Sequence, residues 1–281
     1  MINHNGIIQQ FSSVALENNR GFLYGDALFE TIKVANNTIL FLEEHYFRLM
    51  SSMRICRMEI PMNFTLEYFE EQIFNLLQSM RLNTAARVRF TVYRNDGGYY
   101  LPKDINTGFI VQATPLSQAA YMVPSNLYEV DLYKDFYVSK HLLSTLKTTN
   151  KMINITGSIF AKENDLQNCL LLNEDKNIVE ALNGSIFMKS NSTIYTPPLS
   201  DGCLNGIMRK QLINIINKID GFECIEKSIS PFDLQKSDEL FISNVIMGIQ
   251  PITKYRKKEY EINFSNALNK QLNDFLNLKV S

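Results

Sequence analysis

The chain has 281 residues, 45% of them apolar and 20% charged, with a formal net charge of −1. That is the make-up of a globular protein with room for one large domain or two of medium size. The charge balance leaves no electrostatic footprint for nucleic acid, and no apolar run approaches the roughly 20 residues needed to span a bilayer. Four cysteines (Cys56, Cys169, Cys203, Cys224) and three histidines (His4, His45, His141) lie far apart without a CxxC pair. Neither a disulfide frame nor a metal site is therefore expected. The opening MINHNGIIQQ lacks a basic stretch followed by an apolar core, so no secretory signal is read and a cytoplasmic protein is the expectation.

Taken in chain order, GDALFETIKVANNTILFLEEH predicts two strands joined at Ala35-Asn36-Asn37. EEHYFRLMSSMRIC has apolar residues at helical spacing, and TLEYFEEQIFNLLQSM is an amphipathic helix. ARVRFTVYR alternates with period two, and GFIVQATPL is a short apolar strand. SQAAYMVPSN has linker composition. The expected organisation is a small N-terminal α/β domain over 1–114, a linker over 115–124 and a larger C-terminal domain over 125–281 that carries Lys147.

In the second half, INITGSIFAKEN looks helical, and CLLLNEDKNIVEALNGSIFMKSNSTIYTPPL reads as three strands separated by EDKN and SNST. The helix IMRKQLINIINKI opens directly after Asn205-Gly206. ELFISNVIMGIQPITKY reads as one late strand, and an amphipathic helix follows it. The predicted fold class is mixed α+β in two domains.

Four pieces carry chemistry. Lys147 stands among small hydroxyl residues in TLKTTN. Glu180 sits where the run NIVEALNGSIF turns to small residues. Gly206 opens a helix in LNGIMR, and Arg48 is a lone cation in HYFRL. Each alone has an ordinary reading: a solvated lysine, a solvated acid, a helix-start glycine, an arginine paired with Glu44 four residues earlier. Together they match one job. A helix start presents free N–H groups and a positive dipole end to a phosphate, and an arginine forks onto the same group. A lysine forms a Schiff base with an aldehyde, while a carboxylate keeps a ring nitrogen protonated. Phosphate, aldehyde and pyridine nitrogen are the three handles of pyridoxal 5'-phosphate.

The ordered series RGFLYGDALFET, HYFRL, LKTTN, VEALNGSIF, LNGIMR, ELFISN resembles the class IV aminotransferases, the fold-type IV pyridoxal-phosphate enzymes, from about Arg20 to Pro251. The resemblance implies an enzyme of two domains, a homodimer with its pocket between them, and a small-molecule amine as substrate. It further implies that Lys147 holds the cofactor and shuttles the proton, and that Glu180 faces the pyridine nitrogen. Arg48, the N–H groups of Ile207 and Met208 and the hydroxyl of Ser243 would bind the phosphate.

Within that family the chain is most similar to 4-amino-4-deoxychorismate lyase, which releases pyruvate and forms 4-aminobenzoate for folate synthesis. Met208 stands where the aminotransferases usually have threonine, Asn244 follows Ser243, and Lys151 follows Asn150 where branched-chain enzymes usually have tyrosine. Lys33 in FETIK replaces the arginine of FEGIR, and RNDGGYYLP lacks the histidine of the D-amino-acid enzymes. Ser185, five residues after Glu180, replaces a frequent asparagine. Branched-chain or D-amino-acid aminotransferase is the alternative, and a non-catalytic scaffold with the same fold a distant third. Arg94 is the expected carboxylate anchor, and Tyr24, Phe29, Tyr99, Tyr100 and Lys151 are further candidates for the substrate pocket.

Overall fold

A computed structural model of the chain describes residues 1–12, 14–122 and 126–279. They form two compact units: Met1–Ala119 with Lys147–Asn150, and Ala120–Leu146 with the chain from Lys151 onward. No described helix is long and apolar enough to cross a membrane.

The first unit contains, in order, β1 (Ile2–His4), β2 (Ile7–Gln9), α1 (Arg20–Tyr24), β3 (Ala27–Ala35), β4 (Thr38–Ile39), α2 (Leu42–Ile55), α3 (Leu66–Ser79), β5 (Ala85–Arg94) and β6 (Thr107–Pro115). Among the described residues its strands make one antiparallel sheet in the order β2-β1-β6-β5-β3-β4. The predicted hairpin turn is present: Asn36 and Asn37 both take left-handed φ, +50° and +58°, as a tight two-residue turn requires. Alternation puts Leu28, Ile32 and Val34 on one face of β3, which packs against α2, and they are buried, as are Leu49 and Met53 of α2 and Phe69, Ile73 and Leu76 of α3. Phe69, Phe90 and Phe109 stack through it, with centroids 4.6 and 5.0 Å apart.

The segment 147–150 joins this unit through its backbone. Phe29 N–H donates to the Lys147 carbonyl at 2.9 Å, Thr149 N–H donates to the Ala27 carbonyl at 3.0 Å, and Leu28 and Thr148 form an antiparallel bridge. The lysine was expected within the C-terminal domain. It groups instead with the N-terminal strand, because the start of β3 lies beyond the two residues that β4 covers and so offers an unpaired edge. The expected linker over 115–124 falls partly on Val123 and Pro124, which lie outside the described residues.

The second unit comprises β7 (Glu129–Val138), α4 (Met152–Glu163), β8 (Asn168–Asn173), β9 (Ile178–Ala181), β10 (Ser185–Ser190), β11 (Thr193–Thr196), α5 (Ile207–Ile216), β12 (Glu223–Glu226), α6 (Pro231–Leu234), β13 (Glu239–Asn244), β14 (Gly248–Ile252), β15 (Lys254–Tyr255), β16 (Lys258–Glu259) and α7 (Asn263–Phe275). Its described strands form two sheets, β12-β11-β10-β13-β14 and β16-β15-β7-β8-β9. Val130, Leu132, Leu170 and Leu172 of one sheet share a core with Ile186, Leu240, Ile242 and Ile252 of the other. The opposite face of β8, Cys169 and Leu171, packs with Ala161 of α4 and Tyr133. Burial on both faces explains why CLLLN is a continuous apolar run rather than an alternating one.

Two predicted strands divide. The run IVEALNGSIFMK breaks at Leu182–Gly184, so that β9 and β10 belong to different sheets. ELFISNVIMGIQPI folds into a β13–β14 hairpin, and Gly248 takes φ +73° at its turn. The long strand β7, EVDLYKDFYV, escaped the sequence reading because charges interrupt its apolar pattern.

A Cβ at residue 248 would stand 2.6 Å from Cγ of the buried Tyr121, in a backbone conformation that side chains rarely adopt. Gly248→Ala is expected to lower unfolding stability by about 2 kcal/mol or more through strain and overpacking. Urea titration measures this; an unchanged midpoint would contradict the assignment.

Candidate active site

The first unit places Lys147 over Phe29 of β3 and within electrostatic reach of His45 of α2. The two main-chain bonds to Ala27 and Phe29 fix where the lysine leaves the backbone. Its Nζ lies 4.7 Å from the centre of the Phe29 ring, and the Arg89 guanidinium lies over the same ring at 3.6 Å. Gly25 allows the segment to approach so closely: a Cβ there would be 2.3 Å from Asn150 Oδ1, and Asn150 Nδ2 donates to the Gly25 carbonyl at 3.2 Å.

One residue further along β3, Glu30 is buried to 1% exposure in a strand otherwise apolar on that face. Its carboxylate accepts from Arg48 Nε at 2.8 Å and Nη2 at 2.5 Å, and from His45 Nδ1–H at 2.7 Å. Burial alone would raise the Glu30 carboxyl. The Arg48 charge, with the hydrogen bonds from His45 and Arg48, outweighs burial and holds it at about 2. Burial lowers the His45 pKa, which keeps the imidazole neutral.

The other face of β3 is cationic. Alternation places Phe29, Thr31 and Lys33 on one side, and strand register sets Arg89 opposite Thr31 and Arg87 opposite Lys33. Lys33 is buried, and burial lowers its pKa to about 8. Burial and the neighbouring Arg87 charge lower that of Arg89.

Arg94 is not the open carboxylate anchor that its place beside a glycine turn suggested. It is buried, and its three guanidinium nitrogens donate to Asp26 Oδ2, the Arg57 carbonyl and the Cys56 carbonyl at 2.8–2.9 Å. Arg20 shares Asp26 Oδ2 at 2.9 Å and donates to the carbonyls of Gly97 and Tyr99. These arginines hold α2 and the 97–99 loop in place. Tyr99 and Tyr100 are exposed, and Tyr100 meets Tyr24 edge-on at 5.9 Å.

The second unit gathers Glu180, Ile207, Met208 and Ser243. Glu180, on β9, accepts from Leu204 N–H at 3.0 Å, which ties the carboxylate to the loop leading into α5. That helix starts at Gly206 with no side-chain cap, so the N–H groups of its first turn have no intrahelical acceptors. Gly206 is glycine for space: a Cβ would lie 2.8 Å from Ser185 Oγ. Ser185 pairs with Ser243 across β10 and β13. A Cβ at Gly184 would come within 2.6 Å of the Ser243 carbonyl oxygen. The Ser243 hydroxyl is itself buried, at 2% residue exposure, with no hydrogen-bond partner among the described residues. Lys151 directly precedes α4, and its carbonyl accepts from Ile155 N–H.

Each unit carries part of the expected constellation: Lys147 and Arg48 in the first, Glu180, Ser243 and the start of α5 in the second. The family model of amino-transferase class IV matches residues 27–255, and the chain belongs to that family. Its enzymes depend on pyridoxal 5'-phosphate. The D-alanine aminotransferase of Listeria monocytogenes is 26% identical over 259 residues, 90% of this chain and 86% of that protein. Two solved structures share the fold. The Escherichia coli branched-chain amino acid aminotransferase has a TM-score of 0.86 at 20% identity, covering 99% of this chain and 93% of that one. The 4-amino-4-deoxychorismate lyase of Pseudomonas aeruginosa has a TM-score of 0.84 at 23% identity, covering 99% and 100%.

The residues present fit the cofactor. Ser243 supplies an orphaned buried hydroxyl, and α5 supplies uncapped N–H groups of the kind that bind phosphate. Glu30 and His45 went unread in the sequence. The available signal was an acid in the apolar strand ALFETIKVA, with a histidine and an arginine three residues apart on the helix that follows.

Glu30 has a folded-state pKa of about 2, below its ordinary 4.5, so its ionisation favours the folded state above pH 4.5. That contribution is lost as pH falls from 4.5 toward 2. Acid unfolding followed by circular dichroism should show a steeper decline for the wild type than for Glu30→Gln across this window; parallel profiles would contradict the burial and pairing described.

Proposed function

We propose that this pyridoxal-phosphate enzyme is a 4-amino-4-deoxychorismate lyase. The observation that carries the reading is the cationic face of β3 and β5, where Lys33, Arg87 and Arg89 are brought together by strand register. A substrate with two carboxylates suits that face, whereas an apolar branched side chain does not. The lyase reading also rests on Met208 and Asn244, which depart from the aminotransferase pattern. D-amino-acid aminotransferase is the second reading, favoured by the similarity to the Listeria enzyme.

In this reading Lys147 Nζ would hold the cofactor at its aldehyde carbon and, as a free amine, would take the proton from the amine-bearing carbon of the substrate. The bound cofactor supplies an electron sink for the resulting charge. Glu180, oriented by Leu204 N–H, keeps the ring nitrogen protonated. Arg48, the N–H groups of Ile207 and Met208, and Ser243 Oγ grip the phosphate. Phe29, Tyr24 and Lys151 are assigned to the substrate. The electron pair of the broken C–H bond then forms the last ring double bond as the C–O bond to the enolpyruvyl group breaks; the departing enolate takes up a proton to become pyruvate, and 4-aminobenzoate is left with no other reactant consumed.

A homodimer belongs to the same reading. On α4, Met152, Ile155 and Ile159 share one face at helical spacing and are 69%, 53% and 53% exposed, with Leu142 and Leu143 exposed just before it. An exposed apolar helix face suits a second copy of the chain. A cytoplasmic location accords with four free cysteines.

Incubation with aminodeoxychorismate should release pyruvate without any keto-acid acceptor, read by a coupled dehydrogenase assay. Turnover only with an amino acid and 2-oxoglutarate would assign an aminotransferase instead. For assembly, Ile155→Glu with Ile159→Glu is expected to convert the sedimenting species from dimer to monomer. A wild-type monomer, or a variant that stays dimeric, would contradict the proposed interface.

A further inference from the structure

We infer that Glu30 is a positioning residue for the cofactor phosphate, acting through Arg48 and backed by His45. The inference rests on the reading that Arg48 binds that phosphate. Two contacts, to Nε and Nη2, fix the plane of the guanidinium; one contact would leave it free to swing about the carboxylate. An arginine side chain loses rotamer freedom when it is held, and a prearranged fork loses less of it for each bond formed. His45 donates to Oε2, the oxygen that also receives Nη2. It holds the carboxylate in turn, and because burial keeps it neutral it adds a donor without a second cation competing for Glu30.

Glu30 also acts in the opposite sense, since a carboxylate beside Arg48 partly cancels the positive field offered to a dianion. Orientation prevails because both charges of the pair are buried, with side chains 11% and 1% exposed. Loss of Glu30 would remove both contacts that orient the guanidinium and the opposite charge that compensates its burial. Removing Glu30 therefore weakens the phosphate grip rather than strengthening it. Lys147 stands in the same neighbourhood, its charge acting on His45, so cofactor affinity must be separated from its chemistry.

The test is equilibrium binding of pyridoxal 5'-phosphate and of pyridoxal, which lacks the phosphate, followed by absorbance in wild type, Glu30→Gln, Arg48→Met and the double variant. Glu30→Gln should weaken pyridoxal 5'-phosphate binding by about ten- to a hundredfold, the scale on which outer-shell partners act, and leave pyridoxal binding unchanged. The double variant should bind no more weakly than Arg48→Met alone. Equal loss for both ligands marks a merely structural role and overturns the inference, as does tighter phosphate binding by Glu30→Gln. If Arg48→Met retains the wild-type preference for the phosphorylated ligand, the underlying reading of Arg48 fails, a result distinct from failure at Glu30 alone. Should Glu30→Gln not fold, the double variant against Arg48→Met decides: equal affinity supports the inference, and a further loss overturns it.

Discussion

Two main-chain hydrogen bonds, Phe29 N–H to the Lys147 carbonyl and Thr149 N–H to the Ala27 carbonyl, hold Lys147 against the edge of β3. They make 147–149 a short antiparallel continuation of the edge of β3, and a strand edge is a stiffer platform than a free loop. The surrounding sequence is shaped to permit it. Gly25 has no side chain to strike Asn150, β4 stops short of the start of β3, and Thr148 and Thr149 are small enough to lie against the strand.

The same strand carries two opposed faces. Toward α2 it buries a single carboxylate, satisfied by an arginine and a neutral histidine; a buried charge without such partners would be strongly unfavourable. On the other side it aligns Phe29, Thr31 and Lys33 with Arg87 and Arg89 of β5. A one-residue slip in register would exchange the two sets, so the turn at Asn36-Asn37 that fixes β3 against β4 bears on the site as much as any side chain in it. In the second unit the equivalent constraint is the close packing of Gly184, Ser185, Gly206 and Ser243, where two missing Cβ atoms let a helix start and a hydroxyl approach one another.

Much of this was legible from sequence where local signals carry it. The hairpin at ANN, the helices α2, α3, α4, α5 and α7, and the glycine before α5 all follow from periodicity and turn chemistry. The order of six short motifs carries the separate resemblance to the class IV aminotransferases. What escaped depends on tertiary partners. IVEALNGSIFMK reads as one strand, because nothing local says that the chain changes sheets at Leu182–Gly184. Arg94 beside a glycine turn looks available, yet Asp26 and the carbonyls of Cys56 and Arg57 claim it from 68 to 37 positions away. Glu30 looks like an ordinary strand acid until α2 folds over it, and the lysine segment joins a unit from which it is separated by almost thirty residues of chain.

The central claim is that Lys147 is the amine bonded to pyridoxal 5'-phosphate. Borohydride reduction of the cofactor-loaded protein, followed by proteolysis and mass spectrometry, addresses it directly, because reduction makes that bond permanent. The account predicts a single stoichiometric phosphopyridoxyl mass addition on Lys147. The same addition on another lysine, or none on any peptide after full cofactor loading, would contradict it.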